Sequence, residues 1–362
     1  MTRPSRRRPH GPFAALRAHH LESEPRHLAI LTLASGTLAL IAGIAVAWDA
    51  GFDAVAAHLR HPQYYWFLFA IAGAVMAHVG YVAAYREVAH VDRGVRIGTL
   101  RVGAIVAAGF GMFLPRGGFA VDLEALQDLG VPPREARVRV LGLGSLEYAV
   151  LATAACVCAI LLLVSRWPAQ HAVTLSWAIG VPAGTALAVL AVRNRDLLCR
   201  GPGRLLRPAL DALEVVWKIV SAPVSHGAAA FTGMSVYWAG EVFVLWACLA
   251  AFSRHTPSAQ AVVVAYATGY ALTRRTLPLA GAGAVEALLP FALVWVGYGL
   301  PAAVLAVFAY RIFNLWLPVG PAVAALFALR RSPASAANAE VGGDDRDVET
   351  VEHAGRGDDV YR

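Results

Sequence analysis

The fold class this chain predicts is an all-α integral membrane protein: a polytopic helical bundle with two re-entrant helical hairpins in an inverted repeat. Three observations predict it. The 362 residues are 58% hydrophobic and 15% charged, with a mean hydropathy of +0.55, more apolar surface than one soluble core can bury. Six apolar runs are long enough to cross a hydrocarbon core of about 30 Å. Two further apolar regions are broken near their middle by Pro and Gly beside an acid, which lipid does not tolerate without a buried site or pathway.

In chain order, residues 1–27 form a basic segment expected in the cytoplasm. The first run, Leu28 to Trp48, is too long for a typical signal-peptide core, so an uncleaved span is expected even though Ala45-Val46-Ala47 has cleavage-site spacing. Tyr64 to Tyr85, Leu141 to Ser165, Ala172 to Val192, Ala228 to Phe252 and Pro301 to Leu329 complete six crossings. The interrupted regions are Ile97 to about Gly130 and Ala259 to about Gly299, read as hairpins that enter and leave on one side. The membrane domain is thus 28–331, with halves at about 28–193 and 222–331. Between them, 204–221 alternates Leu, Val and Trp with charged residues at helical spacing, as an amphipathic interfacial linker does. Residues 332–362 turn polar and acidic, as a disordered cytoplasmic tail does.

Charge sets the orientation. With both termini inside, the inner segments hold the arginine clusters from Arg3 to Arg26, Arg86 to Arg101, Arg134 to Arg139 and Arg193 to Arg207, while the outer loops hold only Arg60, Arg166 and Arg254. This asymmetry is the positive-inside signal of a bacterial plasma-membrane protein. The net charge of +7 is then a topology signal. No basic face with interleaved aromatics points to nucleic acid.

The chemistry is narrow. Cys156, Cys158, Cys199 and Cys248 have no zinc or redox spacing. No phosphate loop or nucleophile–base arrangement is recognisable, so neither metal, cofactor nor enzymatic activity is expected. Intramembrane ionisable groups remain: Glu147, Glu241, Arg274, Arg275, Glu286 and Arg311, with Arg116 and Asp122 near the first turn. The run Leu277 to Glu286 is echoed by Leu114 to Asp122, and Asp122 precedes Glu147 by 25 residues as Glu286 precedes Arg311. Paired broken segments in two halves point to a transporter-type site at their interface. The expected substrate-binding set is Arg116, Gly117, Gly118, Asp122, Glu147, Arg274, Arg275, Gly281, Gly283, Glu286 and Arg311. Within it, Glu286 pairs with Arg311, because a lone charge at this depth costs several kcal/mol. Half-helix N-termini and arginines together suit an anionic headgroup.

The run Pro278 to Glu286, then Gly297, Tyr310-Arg311, Trp316 and Pro318, resembles the C-terminal signature of the lysylphosphatidylglycerol synthase transmembrane region, the flippase-like domain family. Pro115 to Leu126, Gly130 and Glu147 sit where that family has its other Gly-containing turn and a downstream acid. The resemblance covers roughly Leu28 to Leu329 and implies a lipid-translocating fold. In bifunctional members a cytoplasmic domain transfers the aminoacyl group. Here the sequence stops about thirty residues past the last span, so that activity is not expected. Ala280 replaces a common Gly, and Glu147 lacks the usual acid–arginine pairing. The expectation is a translocase, or an accessory to one, for an anionic phospholipid or a polyprenyl-phosphate-linked headgroup. The alternative is a scaffold that presents lipid to a partner glycosyl- or acyltransferase.

Overall fold

In lipid a backbone must satisfy its own hydrogen bonds, and a chain this apolar does so as helices. The computed structural model describes residues 25–90, 95–110, 118–198, 207–221, 227–253, 255–269 and 281–331. Among them the helices are α1 (Pro25–Ala50), α2 (Phe52–Leu59), α3 (Trp66–His90), α4 (Thr99–Gly109), α5 (Gly118–Asp128), α6 (Pro133–Val164) and α7 (His171–Arg193). After these come α8 (Arg195–Leu198), α9 (Arg207–Ser221), α10 (Gly227–Phe252), α11 (Ala259–Gly269), α12 (Ala284–Trp295), α13 (Leu300–Arg311), a π-helical stretch Ile312–Trp316, and α14 (Val319–Arg331). Six stretches among the described residues are long and apolar enough to cross a membrane: Ile30–Ala50, Trp66–His90, Pro133–Val164, His171–Arg193, Ala228–Phe252 and Leu300–Ala325. They coincide with the six runs read from the sequence, so the chain is an all-α, multi-pass membrane protein. The basic N-terminal residues 1–24 and the acidic tail 332–362 lie outside the described residues.

The two halves repeat element by element. A long helix (α3, α10) is followed by two short ones (α4 and α5; α11 and α12) and another long one (α6; α13 through α14). Each short helix, of 11 or 12 residues, is about 17 Å long at 1.5 Å per residue, roughly half a bilayer core. Gly73 and Gly80 on α3 recur as Gly233 and Gly240 on α10, 160 positions on. Gly109 and Gly269, which end α4 and α11, keep the same offset. Beyond the break the turn glycines Gly130 (φ 87°) and Gly297 (φ 101°) are 167 positions apart, each followed by a proline at the start of the next long helix. Seven extra residues therefore enter the second half somewhere between Gly269 and Gly297. The sequence alignment pairing Asp122 with Glu286 falls between these two registers. In the register of the turn glycines, Glu286 corresponds to Phe119 and Arg311 to Gly144.

The repeat is inverted. The α3 and α10 backbones touch through those glycines: a Cβ at Gly80 would lie 2.4 Å from the Tyr237 main-chain nitrogen, and one at Gly240 would lie 2.5 Å from that of Ala77. Gly73 meets Gly240 while Gly80 meets Gly233, so numbers rise along one helix as they fall along the other. Equivalent helices that cross antiparallel are related by an approximate two-fold axis between them. Small residues are what let helix backbones approach this closely in lipid.

The ends are tied separately. At one end Gln63 donates its main-chain N–H to Ala251 (2.9 Å), and Gln170 donates to Trp295 (2.8 Å). Ser258, just past α10, donates its main-chain N–H to Tyr298 Oη, just past α12, at 2.8 Å, so the segments next to Arg60 and Arg166 share an end. At the other, buried Arg139 donates to the terminal α3 carbonyls of Ala89 and Val88 and to Glu135. Those carbonyls lack helical partners and carry the negative end of the dipole. There α9 lies against α6, with Val215 over Gly142, and Arg195 binds Asp211 (2.8 Å) and Glu214.

Candidate functional site

The site grows from the start of α12. Gly281 and Gly283 both have positive φ, 68° and 85°, a conformation that costs glycine little and other residues more. Gly283 caps the helix, and Glu286, at its third position, accepts the Gly283 main-chain N–H through Oε2 at 2.7 Å. The carboxylate thereby satisfies an orphan N–H and faces the positive end of the dipole. Its other oxygen accepts Arg311 Nε at 2.6 Å. Both side chains are almost wholly inaccessible, 1% and 3% exposed. Helix α1 covers the turn, with Leu38 about 3.6 Å from where a Gly283 Cβ would stand.

One residue earlier the same helix reaches a second acid. Tyr310 Oη donates to Glu241 Oε2 at 2.8 Å, Asn314 Nδ2 donates to the same oxygen at 2.5 Å, and Tyr266 Oη does so at 3.2 Å. Tyr310 and Tyr266 are also 3.2 Å apart through their hydroxyls. Glu241 on α10 is 5% exposed. The π-helical stretch that follows Arg311 carries Asn314, and such widened turns frequently occur at functional sites. Consecutive residues Tyr310 and Arg311 thus bridge to two acids on two different helices.

The first half is built differently. Phe119 packs on Gly144, where a Cβ would meet its ring at 2.9 Å. Asp122 is fully buried, and its main-chain oxygen accepts Tyr85 Oη at 3.4 Å. On α6, the buried Glu147 accepts Tyr237 Oη at 3.5 Å, and its carbonyl accepts Trp238 Nε1 at 2.6 Å.

Glu241 and Asn314 open onto a cavity of about 270 Å³ between α3, the end of α4, α10 and the π-helical stretch, with Ala74, His78, Phe110, Tyr237 and Phe313 among its lining residues. A second cavity, of about 670 Å³, lies between α6, α10 and α11, and no charged side chain lines it among the described residues. Helix α10 lines both, Tyr237 the first and Trp238 the second.

Of the residues expected from sequence, Gly281, Gly283, Glu286 and Arg311 come together as one unit. Gly118 begins α5, and Asp122 and Glu147 are buried in the first half. Arg116, Gly117, Arg274 and Arg275 lie outside the described residues. The sequence marks Glu241 as an intramembrane acid, but not Tyr266, Tyr310 and Asn314 as its partners. Their only signal is a polar atom in an apolar span.

A family model for the lysylphosphatidylglycerol synthase transmembrane region matches residues 29–322. The chain belongs to that family. Membership agrees with the resemblance carried by Pro278 to Glu286 and Tyr310-Arg311, and it places the chain among membrane proteins of lipid-related function. The matched span runs from α1 into α14, so the family region contains both halves of the repeat and both acids of the site. Among curated proteins, none matches the chain.

Proposed function

We propose that the chain is a non-enzymatic lipid translocase of the bacterial plasma membrane, with both termini in the cytoplasm and the two broken regions as re-entrant hairpins. The observation that carries this is the buried network of Glu286, Arg311, Tyr310, Glu241 and Asn314 at the junction of two inverted halves, next to a cavity at membrane depth. Discontinuous helices at a repeat interface are where secondary transporters hold polar cargo. Rocking of one half against the other would expose such a site alternately to each face. The cargo is a phospholipid or polyprenyl-phosphate-linked lipid. The preference for an anionic headgroup rests on Arg116, Arg274 and Arg275, since Arg311 is already paired.

Reconstitution into liposomes with lipids labelled on the headgroup tests this. Transfer of label to the opposite leaflet, lost in Glu286→Gln, is the expected result. Absence of transfer across a panel of phospholipids and prenyl-phosphate lipids would sink it. Lipid binding without transfer would instead favour a subunit that presents lipid to a partner enzyme.

A further inference from the structure

We propose that the cavity between α6, α10 and α11 is a seat for one hydrocarbon chain of a membrane lipid. Three helices each give it one face. On α10 the wall residues Phe231, Ser235, Trp238, Val242 and Trp246 recur every three or four positions, which places them along one side of the helix. Val150, Ala154 and Val157 do the same on α6, and Ala259 and Val263 on α11. From Phe231 to Trp246 the stripe is about 22 Å long at 1.5 Å per residue, some three quarters of a hydrocarbon core of about 30 Å. Spread over that length, a volume of about 670 Å³ makes a channel roughly 6 Å across, whereas a helix with its side chains needs about 10–12 Å. The slot is cut for an extended chain and not for a transmembrane helix.

Apart from Ser235, Thr153 and Cys158 the described wall is apolar, and Thr153 Oγ already donates to the Ala149 carbonyl at 2.8 Å. Water held there would find few of the about two to four polar partners it needs. Protein interiors are close-packed, so a void of this size left empty forfeits contacts along its whole wall. Even an apolar cavity of about 150 Å³ takes up small apolar molecules when they are offered. The slot reaches the surface at Val157 and Phe231, each about half exposed. Both lie within membrane-crossing stretches, where what is offered is lipid hydrocarbon. The seat needs only this membrane setting; that its occupant is the cargo rests on the translocase reading. Helix α6 belongs to the first half and α10 and α11 to the second, so a chain held there lies across the joint that rocking would open.

The test maps the chain directly. The full protein would be reconstituted in liposomes of phosphatidylcholine carrying a diazirine on one acyl chain, irradiated, and its labelled peptides identified by mass spectrometry. Residues 150–158 and 231–246 should carry about tenfold more label than 179–190 of α7, a stretch whose side chains are mostly exposed. Ala239→Phe, which fills the slot from α10, should lower the slot label about tenfold and leave the α7 label as it is. Ala154→Leu fills it from α6 and decides the matter if Ala239→Phe does not fold. A diazirine-bearing polyprenyl phosphate in place of the phosphatidylcholine distinguishes the sources: the lipid that labels the slot more densely is the one it holds. Slot label no denser than the α7 label, or unchanged by both filled variants, overturns the proposal. So does an unlabelled slot in which Cys158 cross-links two copies of the chain, which would assign this face to a dimer. Slot labelling without leaflet transfer would sink the translocase reading and leave the chain seat standing. Transfer with an unlabelled slot would do the reverse.

Discussion

The two halves solve one mechanical problem with different chemistry. Each must fix a short helix against the long helix that follows. The first half does so with Phe119 on Gly144, an aromatic ring against a residue without a side chain. At the equivalent positions the second half has Glu286 and Arg311, a buried ion pair further bound to the Gly283 main chain. If fixing the helix were the only requirement, the apolar solution would be the safer one, because buried ion pairs gain little over well-packed apolar groups of similar volume. On the proposed reading, the difference means that the second half carries polar groups for a reason beyond packing. The neighbouring Glu241 cluster, contacted by Tyr310 on the same helix, says where that reason lies.

The largest effect should come from the contact both halves share. Gly80→Val or Gly233→Val places side-chain atoms where main-chain atoms of the partner helix already stand, within 2.4 Å and 2.7 Å of a Cβ. No rotamer relieves a clash with backbone, so these variants should yield little folded protein by size-exclusion chromatography. Gly180→Val on α7, where a Cβ meets nothing within 4 Å, is the control and should behave as wild type. Folded Gly80→Val with an unchanged melting profile would refute the inverted contact as the centre of the molecule.

Next comes the ion pair. Glu286→Gln or Arg311→Gln leaves one buried charge uncompensated, which costs about 3–5 kcal/mol in the systems where it has been measured. Both singles should melt lower and lose transport. The double Glu286→Leu, Arg311→Met imitates the first half by making the contact apolar. It should regain most of the stability and none of the transport, and the non-additivity measures the coupling. Recovery of transport in that double variant would reduce the pair to a fastening like Phe119 on Gly144.

How far the sequence carried these conclusions depends on what kind of interaction was at stake. Span number and the fold class followed from hydrocarbon length, and Glu286 with Arg311 from the rule that charges in lipid need partners. The register of the repeat did not follow, because short Leu, Pro, Gly and Ala matches around the broken turns hide a seven-residue insertion. The spacing of Gly73 and Gly80, repeated at Gly233 and Gly240, held the register all along, but glycines are too common in this chain to stand out before the helices are seen to cross there. The Glu241 cluster was illegible for a different reason. The described donors Tyr266, Tyr310 and Asn314 come from α11, α13 and the π-helical stretch, so no local spacing links them.

A smaller effect tests the apolar fastening directly. Gly144→Ala pushes a methyl to within 2.9 Å of the Phe119 ring; overpacking of this kind costs roughly 1–3 kcal/mol. Phe119 can turn aside more easily than backbone can, so the loss should lie well below that of Gly80→Val. The variant should keep transport in proportion to its folded fraction, unlike Glu286→Gln. A selective loss of transport in Gly144→Ala, at wild-type stability, would show that both fastenings are functional.

The smallest effect concerns the far ends of the two return helices, where α5 finishes in Asp128 and the equivalent position of α12 is Trp295. Burial, with Glu124 adding to it and Arg101 opposing, pushes the Asp128 carboxyl up to about 7 from its ordinary value of 3.8. The folded protein then holds a proton that the unfolded chain has released, so this group's contribution to stability is fully present below about pH 4 and is lost as pH rises through about 7. The side chain is only partly shielded, so the melting midpoint should fall modestly over that window. Asp128→Asn, which cannot release a proton, should flatten this part of the curve and sit above wild type at pH 8. A Trp295→Phe variant should leave the slope unchanged, because neither side chain at position 295 titrates. If Asp128→Asn and wild type trace parallel curves from pH 4 to 8, the acid does not titrate in the folded protein, and the two return helices end alike.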